Sequence, residues 1–219
     1  MAKVEICYVK LSEETLKQYK KMILKAKEIL PLKRYLAYIK LEDDMMKIQN
    51  IIGYLLLKKM LENSGINTTN LGYSYHKNGK PYFNNSYIKF NISHSDNIIA
   101  VAIDEEEIGL DVEKIDEVNS CLTKRVYSNE EQILYQKNLL NNDFFYKTWT
   151  IKESYLKYIG TGLNLDVTSL TFNLEEDLNK LNEIFIVSMK IDDFYLSFSS
   201  KKKEYQINEI TIEQLFNES

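Results

Sequence analysis

The stretch "FNISHSDNIIAVAIDEEEIGLDVEKI", residues 90–115, carries the pattern from which the fold can be read. With the residues just before it, it holds three apolar runs, Ile88–Ile92, Ile98–Ile103 and Ile108–Ile115, joined by short polar turns. Runs of this length, rich in isoleucine and valine and separated so briefly, suit an antiparallel meander. In the last run, strand alternation sends Ile108, Leu110 and Val112 to one face. Gly109, Asp111 and Glu113 share the other.

Outward from this core the periodicity changes to that of helices. Ser12, followed by Glu13 and Glu14, begins a helix whose inward positions Leu16, Tyr19, Ile23, Ala26 and Leu30 keep three-and-four spacing until Pro31. A second helix is expected over Asp44–Asn63, with Gly65 ending it. Ser128 with Glu131 three positions on forms a capping box, and Asp143 is expected to cap a helix running to Gly160. Later runs at Ser169–Leu174, Ile184–Ile191, Phe194–Ser199 and Ile207–Ile212 read as strands. The expected class is α+β, with two comparable lobes, residues 1–115 and 116–219, each a small antiparallel sheet packed with helices. No proline- or glycine-rich linker separates the lobes, so an intimate interface is expected.

Composition removes several function classes. A chain of 219 residues with 44% apolar and 27% charged residues can bury a sizeable core. A net charge of −4 offers no general affinity for nucleic acid or an anionic membrane surface, so an anionic ligand has to be met by local lysines. Cys7 and Cys121 make no disulfide framework and read as reduced residues of a cytoplasmic protein. The opening "MAKVEICYVK" is strand-like and lacks the apolar segment of a signal peptide. No run approaches the roughly 18 apolar residues of a membrane span.

Chemistry concentrates in two places. Asp111 and Glu113, side by side on one strand face, offer hard oxygen ligands suited to magnesium or manganese. Read alone they are equally ordinary surface acids; Gly109 beside them leaves room for a ligand's close approach. In "WTIKESYLKYIG", Glu153 and Lys157 lie about 40° apart on a helix, at the edge of the apolar arc of Phe145, Trp149, Leu156 and Ile159. They read as a shielded functional pair or as an exposed i, i+4 ion pair. Lys152 projects within the apolar arc, where an ammonium needs an anionic partner. His94, in a turn with Ser93, Ser95 and Asp96, offers a small phosphate cradle or is a plain loop histidine. His76 reads as surface, and Gly79, Lys80 and Pro81 as a rigid turn bearing one cation or simply a hairpin.

Four motifs in order, "GKPYF" from Gly79, "FNISHS" from Phe90, "IGLDVEKI" from Ile108 and "WTIKESYLKYIGTGL" from Trp149, resemble the 4′-phosphopantetheinyl transferases. The resemblance is to the two-lobed surfactin-synthetase-activating type, strong over Gly79–Leu163 and weak on the flanks. It implies a pseudo-two-fold pair of lobes with coenzyme A and a metal in the cleft between them. It further implies transfer of 4′-phosphopantetheine from coenzyme A to a serine of an apo acyl, peptidyl or polyketide carrier protein, releasing 3′,5′-ADP.

By the same resemblance Asp111, Glu113 and Glu153 bind Mg2+, with Mn2+ as the other candidate. Ser93 and His94 meet the 3′-phosphate, Lys80 and Pro81 hold the nucleotide, and Lys152 and Lys157 lie on the diphosphate. Glu153, Lys157 and Asp111 are then the catalytic group, with Glu153 or a water it holds taking the serine proton. One departure stands out: the family places an arginine and a threonine or serine before the glycine of its central first-lobe helix. This chain has Gln49 and Asn50 before Gly53, leaving Lys47, or Lys33 and Arg34, to compensate. The expected enzyme is a monomer that binds neither nucleic acid nor membrane. Two rivals share its residues: a Mg-dependent hydrolase of coenzyme A or another nucleotide diphosphate, and a non-catalytic coenzyme A or carrier-binding module.

Overall fold

A computed structural model describes residues 1–15, 21–69, 71–137, 141–161 and 165–216. The expected inward positions Leu16 and Tyr19, and Gly162 and Leu163 at the end of the last motif, lie outside the described residues. The class is α+β, as expected, in two compact units: Met1–Glu106 with Glu204–Ser219, and Glu107–Lys203.

In the first unit the central strand is β5 (Ile98–Asp104), every residue of which is buried. It pairs antiparallel with β1 (Val4–Lys10) on one side and β4 (Lys89–Ser95) on the other. The fourth strand, β10 (Tyr205–Glu209), returns from the far end of the chain to lie parallel to β1. Helices α1 (Lys21–Ile29), α2 (Leu32–Tyr38) and α3 (Asp44–Asn63) belong to the same unit. Asp43 caps α3 by accepting from Met46 N at 2.8 Å, and Ser64 ends it one residue before Gly65, whose φ is 75°. Ile48, Ile51, Ile52, Leu56, Leu57, Met60 and Leu61 of α3 are buried in one core with Phe90, Ile99, Val101 and Ile103. Each such side chain contributes roughly 1.5–3 kcal/mol on full burial. The "NGKP" turn is a hairpin between β2 (Tyr73–Tyr75) and β3 (Pro81–Phe83), with Gly79 at φ 86°.

The second unit is built on the sheet order β6-β9-β8-β7, antiparallel throughout: β6 (Ile108–Lys114), β7 (Leu178–Leu181), β8 (Ile184–Ile191) and β9 (Phe194–Ser200). Its helices are α4 (Ser120–Val126), α5 (Asn129–Gln136) and α6 (Asn142–Ile159). The Ser128–Glu131 capping box is present at the start of α5. Gly160, left-handed at φ 69°, terminates α6 as expected.

Four readings of the sequence are corrected. Ile108–Ile115 is not the third strand of a meander: β6 leaves the first sheet and pairs with β9, Asp111 standing opposite Ser197. Asn141, not Asp143, caps α6, accepting from Phe144 N at 3.2 Å; Asp143 sits in the first turn, where its charge suits the helix dipole. Ser169–Leu174 forms no strand. Phe172 and Leu174 do reach the core, but Asp166 caps a short 3-10 turn over Val167–Ser169, and residues 170–174 join no sheet. The run Ile207–Ile212 breaks after Glu209, because Thr211 and Gln214 cap each other's backbone and start α7 (Ile212–Phe216). Among the described residues no helix is long and apolar enough to cross a membrane.

Candidate active site

Gly109 decides how α6 meets the sheet. A Cβ built on it would stand 1.9 Å from Ser154 O and 2.5 Å from Tyr158 N, both backbone atoms of α6. The space beside the acids, expected to admit a ligand, is filled by the helix itself. Only glycine permits this approach, and the approach brings the acidic face of β6 onto the helix.

Two residues along from Gly109, Asp111 is 3% exposed and accepts from Lys157 Nζ at 2.6 Å through Oδ1. Glu153, half-buried one turn before Lys157, has its pKa pushed above the ordinary glutamate range by burial and by the charge of Asp111. Lys157 pulls it partly back. Two carboxylates and one ammonium thus share a partly desolvated corner with a net negative charge. That suits a divalent cation: the donors are hard oxygens, and the crowding that raises Glu153 is relieved by a positive ion. Glu113 shares the strand face and is half-buried, and its charge, with that of Asp116, bears on the hydroxyl of Tyr146. No three acids, histidines or cysteines among the described residues stand as a ready ligand shell. The structure therefore brings together Asp111, Glu153 and Lys157, and leaves Glu113 beside them.

Lys152, expected on the diphosphate, points elsewhere. It is fully buried, and Nζ donates to Glu131 Oε2 at 2.6 Å and to Val126 O at 2.7 Å. The required anionic partner comes from within the protein. Burial draws the lysine pKa below its usual range, and Glu131 holds it up. Glu131 Oε2 also accepts from Ser128 N at 2.7 Å, so one carboxylate both caps α5 and ties it to α6. The sequence showed the capping box but not this second use. Lys152→Met would leave the Glu131 carboxylate buried without its cation, and is expected to cost about 3 kcal/mol. Urea unfolding measures this; pairing it with Glu131→Leu should recover most of the loss, because neither charge is then stranded.

The first unit holds the other expected residues. Ser93 is buried on β4 opposite Ala100, while His94 is exposed opposite Ile99, on the strand and not in a turn. The turn proper is Asp96–Asn97, with Asp96 at φ 48°; Gln49 Nε2 donates to Asp96 O at 2.7 Å and anchors it to α3. Lys80 sits in the β2–β3 turn, where its carbonyl accepts from His76 N at 2.9 Å, and Pro81 opens β3 opposite Tyr75. Exposed His76 stacks on Tyr82 with ring centres 4.2 Å apart. Of the compensating cations, Arg34 is buried, donating to Tyr73 OH at 2.7 Å and Asn50 O at 2.8 Å. Lys33 donates to Ser74 Oγ at 2.9 Å, and Lys47 to Glu42 O at 3.4 Å.

Comparison with known proteins points to the same segment of the chain. Residues 107–208, the stretch holding Gly109, Asp111, Glu113, Glu153 and Lys157, match the 4′-phosphopantetheinyl transferase superfamily. The chain is 31% identical over 138 residues to the 4′-phosphopantetheinyl transferase gsp of Aneurinibacillus migulanus, covering 62% of this chain and 56% of that protein. It is 32% identical over 133 residues to the 4′-phosphopantetheinyl transferase ffp of Bacillus subtilis, covering 59% of each. It is 29% identical over 133 residues to the 4′-phosphopantetheinyl transferase Sfp of Bacillus subtilis strain 168, again covering 59% of each. The chain thus spans somewhat over half the length of these curated relatives. Through the segment 107–208, which carries the acidic strand and the lysine-glutamate helix, the chain is similar to the 4′-phosphopantetheinyl transferase superfamily.

Proposed function

We propose that the protein transfers the 4′-phosphopantetheine of coenzyme A to a serine hydroxyl of an apo acyl, peptidyl or polyketide carrier protein. The observation that carries this reading is the Asp111–Lys157–Glu153 cluster, set where β6 and α6 meet inside the segment that matches the family.

In the reaction the serine oxygen bonds to the β-phosphorus of coenzyme A, and the bond from that phosphorus to the bridging oxygen breaks. The electron pair leaves with 3′,5′-ADP. Glu153, or a water it holds, takes the serine proton; a carboxyl whose pKa is raised by burial and by Asp111 is the better suited to do so. Lys157, held by Asp111, places an ammonium where charge grows on the leaving phosphate. Asp111, Glu113 and Glu153 would hold magnesium, or manganese, which when bound neutralises diphosphate charge. Lys152 does not join this group: it acts at one remove, fixing α6 through Glu131.

The nucleotide end of coenzyme A is held by Lys80 and Pro81, and its 3′-phosphate by Ser93 and His94. His94 is exposed, so a phosphate can reach it. His94→Ala should weaken coenzyme A about 10-fold or more, the worth of a charge-assisted hydrogen bond, and leave 3′-dephospho-coenzyme A nearly unchanged. Equal losses in a calorimetric titration would remove that contact from the account. On this reading the enzyme works in the cytoplasm as a monomer, where Cys7 and Cys121 stand as free thiols.

The overall reaction is tested by stoichiometry. With an apo carrier, coenzyme A and MgCl2, one 3′,5′-ADP should appear for each carrier modified. Cleavage of coenzyme A over an unmodified carrier would make the protein a hydrolase, and binding without cleavage a carrier module.

A further inference from the structure

Beside the apolar packing of Ile151 and Tyr155 on Ile184 and Ile186 of β8, the contact between α6 and its sheet contains a row of hydroxyls and a glycine. In the strand register Ser199 stands opposite Gly109, and Ser197 stands between Asp111 on β6 and Ser188 on β8. From the helix, Ser154 Oγ lies 2.9 Å from Ser199 Oγ, and Thr150 Oγ1 lies 2.8 Å from Ser197 Oγ. Ser197 Oγ in turn donates to Ser188 Oγ at 2.9 Å. Thr150, Ser154, Ser197 and Ser199 are fully buried, and Ser188 is 1% exposed.

Proton counting gives these bonds a direction. Ser197 gives its one proton to Ser188, so Thr150 is the donor in the 2.8 Å contact with Ser197, in preference to its longer 3.1 Å contact with Lys147 O in its own helix. Ser154 Oγ has one proton, which it donates to Ile151 O at 2.8 Å, so Ser199 must be the donor toward Ser154. Sliding or lifting of α6 would take the Ser154 acceptor from the buried Ser199 hydroxyl and the Thr150 donor from Ser197, a cost that opposes the motion. Gly109 marks how close the approach is, since a Cβ there would stand 1.9 Å from Ser154 O. The seat is adjacent to the chemistry: Glu153 precedes Ser154, Lys157 follows it by three residues, and Asp111 is registered with Ser197.

We infer that Thr150, Ser154, Ser197 and Ser199 are positioning residues, which hold α6 at the height and register where Lys157 and Glu153 meet Asp111. The inference rests on the transferase reading for its consequence in turnover, but its geometric content stands apart from it. Misplacement of reacting groups by a fraction of an ångström to 1 Å costs up to about 10²-fold in rate, so loss of one hydroxyl bond should cost about 10-fold.

Thr150→Val keeps the shape and removes the hydroxyl; Thr150→Ser keeps the hydroxyl. Thr150→Val should lower kcat about 10-fold with KM for coenzyme A nearly unchanged, while Thr150→Ser stays near wild type. Ser199→Ala, which leaves Ser154 its bond to Ile151 O, is a second variant expected to fold and to lose kcat alike. Crystal structures of the same variants give the reading that does not depend on activity. The Lys157 Nζ to Asp111 Oδ1 contact, 2.6 Å in the parent protein, should lengthen or break in Thr150→Val and persist in Thr150→Ser. A contact and a kcat both unchanged in Thr150→Val and Ser199→Ala would overturn the inference, whatever happens to their melting temperatures. If the parent protein transfers nothing, the transferase reading fails, and the crystal structures still decide whether the hydroxyls position the cluster.

Discussion

Glu153→Gln is expected to lower carrier modification by about 10²–10³-fold while leaving the protein folded. The substitution keeps shape and removes charge, so it deletes both a hard ligand and the acceptor for the serine proton. Its effect on stability has a definite sign. Burial and Asp111 raise the Glu153 pKa in the folded protein, so the folded state disfavours the ionised form that neutral pH requires. The metal-free parent therefore carries a penalty above the unfolded glutamate pKa of about 4.3. The glutamine variant does not. At pH 7 and without metal it should be at least as stable as the parent, and that advantage should vanish as the pH falls toward 4 and the parent becomes protonated. Urea titrations at the two pH values check the sign. Full activity in Glu153→Gln would return Glu153 to an ordinary surface ion pair with Lys157.

Gly109→Ala should produce the largest loss of stability. Ordinary overpacking of a core costs about 1–3 kcal/mol because flexible side chains give way. Here the added methyl would meet Ser154 O at 1.9 Å and Tyr158 N at 2.5 Å, backbone atoms in the last turns of an 18-residue helix. Relief requires moving α6 as a body, which also breaks the Ser154–Ser199 and Asp111–Lys157 contacts. The expected cost is about 4 kcal/mol or more, with activity lost in whatever fraction remains folded. Ser154→Gly should not rescue it, because the clash is with the Ser154 carbonyl. An unchanged unfolding midpoint would show that α6 does not lie against Gly109.

Much of this was legible in the sequence, and the failures have physical reasons. The limits of α3 could be read because its apolar run is long and Gly65 follows its end; the Asp43 cap is seen only in the structure. The Ser128–Glu131 box and Gly160 are local signals, complete within a few residues, and the structure keeps both. Asp111, Glu153 and Lys157 were legible as candidates because strand alternation and helical periodicity each place them on a defined face. What failed was long-range or polar. Nothing near β6 says that it pairs with β9, and nothing near β1 says that β10 returns parallel to it.

The apolar arc of α6 through Phe145 was real, and packs with Val126 and Tyr127. The face toward the sheet sets Thr150 and Ser154 beside Ile151 and Tyr155, and a search for apolar positions passes over the two hydroxyls. Lys152 was rightly expected to need an anion, but a carboxylate already assigned to capping supplies it.

The central claim, that the Asp111–Glu153–Lys157 corner serves phosphopantetheine transfer, is tested most directly by intact-mass spectrometry of apo carrier proteins. A panel of acyl, peptidyl and polyketide carriers is incubated with the protein, coenzyme A and MgCl2. The account predicts that at least one carrier gains a single 4′-phosphopantetheine mass on its serine, that the gain needs coenzyme A, and that Glu153→Gln slows it about 10²–10³-fold. A panel left wholly unmodified, or one modified equally well by Glu153→Gln, would contradict it.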